Sequence, residues 1–164
     1  MKRTLFAILL AVSIARPSAA QMPKYKVRAS YDKATDFSRL RTYVWEPGWA
    51  SYDRTVDAEV AEAVERELMS LGLVRGTPEH HDVTVSYGTL RRTDVNLKAK
   101  AHDYGGLLPT YPVGTFIVLM RDPRTQRELF RGRSDTPIDP DPDKLNAIIQ
   151  SQVAQIFQRY PSRR

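Results

Sequence analysis

Apolar and polar residues alternate with a period of two in several segments, which is typical of β-strands with one buried face. The first such segment, residues 25–33, predicts a half-buried strand. A second short strand is predicted at residues 42–46, where Tyr43 and Trp45 share one face before Pro47 ends the pattern. These two strands open the predicted sheet.

Two other segments place apolar residues every three or four positions, which is the period of an amphipathic helix. The first helix is predicted at residues 56–71, with Thr55 as its N-terminal cap and Gly72 at its end. The second is predicted at residues 142–157, and Asp141 is positioned to cap it. Each helix has one apolar stripe to bury.

The middle of the chain returns to the period of two. The less polar residues of 83–89 and of 95–99 share the odd positions, and the same register persists across residues 91–94, which predicts one long bent strand or two strands joined by a bulge. Residues 102–112, with two glycines and two prolines, predict a mobile loop, and residues 113–120 and 128–134 predict a hairpin. The order of elements favours an α+β fold with a mainly antiparallel sheet and two amphipathic helices packed on one face.

Residues 1–20 predict a cleavable export signal. A basic start, an apolar run at residues 5–14 and small residues before a cleavage point between Ala20 and Gln21 have the layout of a secretory signal. The run is shorter than the roughly 20 apolar residues of a membrane-spanning helix. We therefore expect residues 21–164 to form a single soluble α+β domain that is periplasmic or secreted, with no transmembrane helix.

Charge and cysteine content narrow the classes of partner and chemistry. Half of the formal net charge of +6 belongs to the predicted signal, through Lys2, Arg3 and Arg16. Export and a modest remaining charge disfavour nucleic acid as a partner. The sequence has no cysteine, so disulfides and thiol catalysis are excluded, and we expect no lipid anchor at the cleavage point.

Three groups of residues also resemble the motifs of a known family. They are Asp36-Phe37-Ser38 with Thr42-Tyr43-Val44-Trp45; Gly114-Thr115-Phe116-Ile117-Val118 with Asp122-Pro123 and Phe130-Arg131-Gly132; and Ile156-Phe157 through Tyr160-Pro161. Together, over about residues 25–161, they resemble the bacterial envelope family known as domain of unknown function 4136. The resemblance implies an α+β envelope domain, commonly lipid-anchored, without an established activity. This chain lacks the lipid-attachment cysteine, and Leu119 stands where the family often has an acid.

Arginines on the predicted hairpin are the leading candidates for a binding site. Three lie near its tip and two share one strand face; they are Arg121, Arg124 and Arg127, then Arg131 and Arg133. Guanidinium groups suit phosphates and carboxylates, so an anionic lipid, a polysaccharide or another envelope component is the hypothetical ligand. The alternative interpretation is a solvated face whose charges aid solubility.

The sequence contains no recognisable catalytic or cofactor motif, so we predict a non-catalytic binding or structural domain without metal or cofactor. One alternative stays open: a hydrolase or metal-dependent enzyme using residues 79–82 and 102–112, which carry the three histidines. Another is a subunit that pairs through the exposed edge of the hairpin or of the first strand.

Overall fold

The computed structural model describes residues 25–51 and 53–161, so the predicted export signal and its cleavage point lie outside the described residues. The strands are β1 (Arg28–Tyr31), β2 (Thr42–Trp45), β3 (Val74–Arg75), β4 (Val83–Val95), β5 (Thr110–Arg121) and β6 (Glu128–Pro137). The helices are α1 (Arg54–Ser70) and α2 (Pro142–Phe157), and short 3₁₀ turns occur at Phe37–Arg39 and Ala101–Tyr104. Among the described residues, no helix is both long and apolar enough to cross a membrane.

The strands form one six-stranded sheet in the order β1-β6-β5-β4-β2-β3. Strands β1, β6, β5 and β4 pair antiparallel, whereas β2 pairs parallel with both β4 and β3. The predicted α+β class is confirmed, although the sheet is mixed. The parallel part arises because α1 carries the chain from the end of β2 back to the start of β3, as a crossover between parallel strands must.

The β4–β5 hairpin is the longest element of the sheet. Its register is continuous from Thr84 opposite Arg121 to Val95 opposite Thr110, so the predicted long strand is a single strand without a bulge. Strand β6 accompanies β5 only as far as Pro137, opposite Val113. The last residues of β4 and the first of β5 therefore project beyond their neighbours as a two-stranded arm.

Both helices pack on the same face of the sheet, where alternate strand residues supply the core. Val85, Met120 and Phe130 are adjacent across β4, β5 and β6 and are fully buried. The helices contribute fully buried apolar residues that include Val64 on α1 and Phe157 on α2. The predicted packing of two amphipathic stripes against one sheet face is therefore observed.

The structure corrects several boundaries. Strand β1 begins at Arg28 rather than at residue 25, because its pairing with β6 starts there. Strand β3 was not predicted, since two residues are too few to show a period. The predicted loop at residues 102–112 is shorter, because a 3₁₀ turn and the start of β5 occupy parts of it.

Helix α1 begins two residues earlier than predicted, and Asp53 caps it instead of Thr55. The Asp53 carboxylate accepts hydrogen bonds from the backbone N–H groups of Thr55 and Val56. The predicted cap of α2 is confirmed, because Asp141 accepts from the N–H groups of Asp143 and Lys144.

Candidate functional site

The sheet face opposite the two helices, called the outer face below, carries the two arginines predicted to share a face of β6. Arg131 and Arg133 are exposed and flank positions that face the helices. The Arg131 guanidinium lies 2.6 Å from the Glu128 carboxylate, and that of Arg133 lies 3.0 Å from Asp135. Each of these positive charges therefore already has a carboxylate beside it.

The other three predicted arginines lie at or near the turn that joins β5 to β6. The guanidinium of Arg121 lies 3.4 Å from the Glu46 carboxylate, and that of Arg127 lies 3.0 Å from Asp32. Arg124 is exposed and forms no ion pair with the described residues. Four of the five arginines are thus paired with acids. That the cluster binds an anionic ligand stays a prediction.

An ion-pair network on the outer face joins strands β4, β5 and β6. Arg92 lies 2.9 Å from Asp94 and 2.7 Å from Asp135, and the Thr115 hydroxyl donates to Asp135 at 2.6 Å. Burial alone would raise the pKa of Asp135, but hydrogen bonds from Arg133, Thr115 and Arg92 outweigh it and hold that pKa well below its usual value. Each charged side chain of the network has an oppositely charged partner within it, and these pairs link the three strands.

Tyr25, the first described residue, completes this network at the base of the arm. Its hydroxyl donates to Asp94 at 2.6 Å and lies 2.9 Å from the Tyr111 hydroxyl, while its ring centroid lies 5.8 Å from the Arg92 guanidinium carbon. This network could not be recognised in the sequence, because Arg92 and Asp94 are polar residues on the polar, even-numbered face of an alternating strand.

The two segments named for an enzymatic alternative lie at opposite ends of β4. Residues 79–82 precede its first residue and residues 102–112 follow its last, and a 13-residue strand spans roughly 40 Å. Asp82 accepts hydrogen bonds from the backbone N–H groups of Arg41 and Thr42, which lower its pKa. Within residues 25–51 and 53–161, no three His, Asp or Glu side chains are close enough to hold a metal ion. The two segments therefore do not meet in one site.

A groove with a volume of about 560 Å³ lies on the helix side of the sheet, between the N-terminal halves of α1 and α2. Its floor is Phe116 on β5. The walls are mostly aliphatic side chains of the two helices: Val56 and Val60 on α1, and Leu145, Ile148, Ile149 and Val153 on α2. The two helices do not cover the sheet completely at this end, so an apolar concavity stays open between them.

The polar groups at the groove differ in their availability. Asp53 lines the groove, but its carboxylate is engaged in capping α1, and Gln152 accepts a hydrogen bond from the Ser134 hydroxyl. Arg91 also lines the groove; it is exposed and forms no ion pair with the described residues. Its odd position on β4, which it shares with Val83 and Val85, puts it on the helix side of the sheet. The groove therefore combines an apolar interior with one uncompensated cation.

Residues 27–162 match the model of a family described as a domain of unknown function, DUF4136. The chain belongs to the DUF4136 family. A comparison with curated proteins finds no match. Solved structures with a similar fold include the following two. The first is a PDZ domain protein from Parabacteroides distasonis ATCC 8503, with a TM-score of 0.57 and 16% identity over 82% of this chain. The DUF4136 chain spans only 35% of that protein.

The second similar structure is the PelC dodecamer from Paraburkholderia phytofirmans. It has a TM-score of 0.54 and 12% identity, over 81% of this chain and 95% of that one. At these identities both likenesses concern the fold alone.

Several of the residues that carry the DUF4136 resemblance meet in the core near the C-terminal end of α2. The Tyr160 ring packs edge-on against Phe37 and Phe130, with centroids 5.1 and 5.4 Å apart. A side chain on Gly132 would place its Cβ 2.0 Å from Cγ2 of Ile156, so only glycine lets α2 approach β6 this closely. These motif residues pack the core at this end of the helices, whereas Gly114, Thr115 and Phe116 of the same motifs line the groove at the other end.

Proposed function

We propose that this DUF4136 chain is an exported, non-catalytic binding domain of the bacterial envelope, and that its groove holds the apolar part of an anionic amphipathic ligand. Export is supported by the secretory layout of residues 1–20. The envelope setting is supported by the resemblance described above. The proposed class of ligand rests on one observation: the groove is apolar, and among the described residues that line it Arg91 is the one cation without an ion-pair partner.

The size and lining of the groove suit a small apolar group. Its volume of about 560 Å³ falls within the range of pockets that take small ligands. Burying a methylene group contributes about 0.8 kcal/mol, so an alkyl chain of several carbons gains substantial binding free energy against the aliphatic walls. A purely polar polysaccharide would leave these walls unsatisfied. The groove thus favours a lipid among the anionic ligands considered.

Arg91 favours an anionic headgroup on that ligand. The arginines of the outer face lie beside carboxylates, and binding an anion there requires displacing an acid first. Arg91 needs no such exchange. The helix N-termini beside the groove do not compete for the anion, because Asp53 and Asp141 already occupy their free N–H groups.

Binding of decanoate and of decanol, measured by calorimetry, tests this proposal. We expect Ile148→Trp to weaken both ligands at least about 10-fold, because the indole fills space that the alkyl chain needs. Arg91→Gln should weaken decanoate about five-fold and leave decanol unchanged, since only decanoate carries a charge.

Ala147→Trp is the matched control, because Ala147 is exposed beside Ile148 on the same helix and does not line the groove. It should bind both ligands as the unaltered protein does. Equal affinity of Ile148→Trp and the unaltered protein, or no measurable binding of either ligand, would contradict the proposal.

A further inference from the structure

The loop that closes the arm concentrates exposed apolar side chains. Among the described residues, eight large apolar side chains are exposed, and four of them lie within residues 95–109, which we call the arm tip. They are Val95, Leu97, Tyr104 and Leu107, and Leu97 and Leu107 are the most exposed of the eight, at 81% and 77%. Single exposed apolar side chains are ordinary on protein surfaces, whereas four of them clustered at a projecting tip indicate a contact surface.

The arm tip is held in shape by its own backbone hydrogen bonds. The Asn96 N–H donates to the Pro109 carbonyl at 2.8 Å, and the Gly106 N–H donates to that of Ala101 at 2.9 Å. Gly105 and Gly106 have positive φ angles of 66° and 91°, which glycine adopts readily. A loop that satisfies much of its own backbone presents its leucines outward and tolerates contact with an apolar phase better than an open loop does.

The arm tip carries two lysines and one acid, so its cations outnumber its anions. Lys98 and Lys100 are exposed and form no ion pair with the described residues. The single acid, Asp103, is paired with His102 at 2.6 Å. Exposed leucines beside a tyrosine and two lysines are the chemistry of a segment that enters the headgroup region of an anionic bilayer.

We infer that the arm tip docks the molecule on an anionic lipid surface, with Leu97 and Leu107 inserted among the acyl chains and Lys98 and Lys100 on the phosphates. This inference goes beyond the proposed groove and rests on separate residues. The two features lie at the same end of the molecule, because Arg91 at the groove is on the strand that leads into the arm. A docked tip thus brings the groove close to a source of amphipathic molecules.

Sedimentation with vesicles tests the inference, using phosphatidylethanolamine with phosphatidylglycerol against phosphatidylcholine alone. The protein should bind the anionic vesicles more strongly. Leu97→Gln combined with Leu107→Gln should weaken binding roughly 30-fold or more, since the inserted apolar area is lost. Lys98→Gln combined with Lys100→Gln should weaken binding to anionic vesicles about 25-fold, as each lysine near such a surface contributes about five-fold.

The control pair Met69→Gln and Val74→Thr removes exposed apolar side chains at the opposite end of the sheet, where they are 69% and 59% exposed. It should leave vesicle binding unchanged. All variants carry the same N-terminal segment, so differences among them report the arm tip. As a second readout, Leu107→Trp fluorescence should shift to the blue with anionic vesicles and be quenched by brominated acyl chains, whereas that of Met69→Trp should not.

Three outcomes would overturn the inference. The first is vesicle binding by the leucine variant that equals that of the unaltered protein. The second is an unshifted Leu107→Trp emission in the presence of vesicles. The third is lipid-free self-association that the leucine variant abolishes, which would assign the arm tip to contact with a second copy. The leucine variant should still bind decanoate, so a failure of docking is distinguishable from a failure of the groove.

Discussion

Asp135 is the residue on which the outer-face network depends. Its carboxylate accepts hydrogen bonds from Arg92, Thr115 and Arg133, which lie on three different strands. Only 16% of its side chain is exposed, so its desolvation must be offset by these partners. Because the pKa of Asp135 is lowered in the folded state, the ionised carboxylate stabilises the fold at neutral pH.

Asp135→Asn should lower the free energy of unfolding by about 2–3 kcal/mol at about pH 7, because the Arg92 and Arg133 guanidinium groups lose the anion that they share. A group whose pKa is depressed in the folded state stabilises it above its unfolded pKa, and that contribution is lost as the pH falls through the folded value. The difference between the two proteins should therefore be constant above about pH 5 and shrink below about pH 4. Urea denaturation across this range measures it.

Glu62→Gln is the control, since Glu62 pairs with Arg66 on the exposed surface of α1. It should change stability by less than about 0.5 kcal/mol at any of these pH values. A difference for Asp135→Asn that does not shrink in acid would show that the carboxylate charge is not what stabilises the network.

Residue-level partners were the least predictable part of the molecule. Alternation alone placed Arg131 and Arg133 on one face of their strand, because the side-chain period of a strand is two. It could not identify Asp135 as the partner of Arg92, since the two are 43 residues apart and meet only through the register of β4, β5 and β6. Register depends on the whole sheet, which a single strand pattern does not contain.

At the scale of elements, α2 approaches β6 so closely that a glycine of the strand has no room for a side chain. Gly132 faces Ile156 with no room for a Cβ, whereas a Cβ on Gly114, also on the helix side, would lie 3.4 Å from its nearest neighbour, Ile138. Neither glycine has a positive φ, so the difference between them is one of space alone. The two positions form a matched pair for measuring how much this packing contributes.

Gly132→Ala should lower the free energy of unfolding by about 1–3 kcal/mol, because the added methyl group forces α2 away from the sheet. Gly114→Ala should be neutral or stabilise by up to about 1 kcal/mol, since alanine restricts the unfolded chain without a clash. Combining Gly132→Ala with Ile156→Ala should be less damaging than the sum of the two changes, because the truncation frees the space. Additive effects in denaturation experiments would contradict this explanation.

The periodic elements were predictable because each period reports directly which residues are buried. The groove was not, because the apolar stripe of α2 includes Leu145, Ile148 and Ile149 without showing whether a neighbour covers them. In the structure these residues are only half-buried, since α1 and α2 leave a gap beside them. The parallel pairing of β2 was equally hidden, because β3 is only two residues long.

At the scale of the whole molecule, the features proposed for function lie at one end of the sheet. The groove, Arg91 and the arm tip lie at the end where β4 leads into β5. The turn that joins β5 to β6, with Arg124, lies at the opposite end of the sheet. Tyr25 contacts Asp94 and Tyr111 at the base of the arm, so the chain enters the described fold at the same end. The first described residue therefore lies at the end of the molecule that carries the proposed lipid contacts.

The proposed export predicts a processed protein. The product isolated from producing bacteria should begin at Gln21, as read by mass spectrometry of its N-terminal peptide, and should be released with the periplasm or medium. Leu9→Arg should stop export, because a charge interrupts the apolar run, whereas Ala20→Phe should permit translocation but block cleavage at a site that requires small residues. Ser18→Ala, which exchanges one small residue for another, should be processed normally. A product that begins at Met1 in the cytosol would remove the compartment from the proposal and leave the groove and the arm tip to be explained by an intracellular lipid surface.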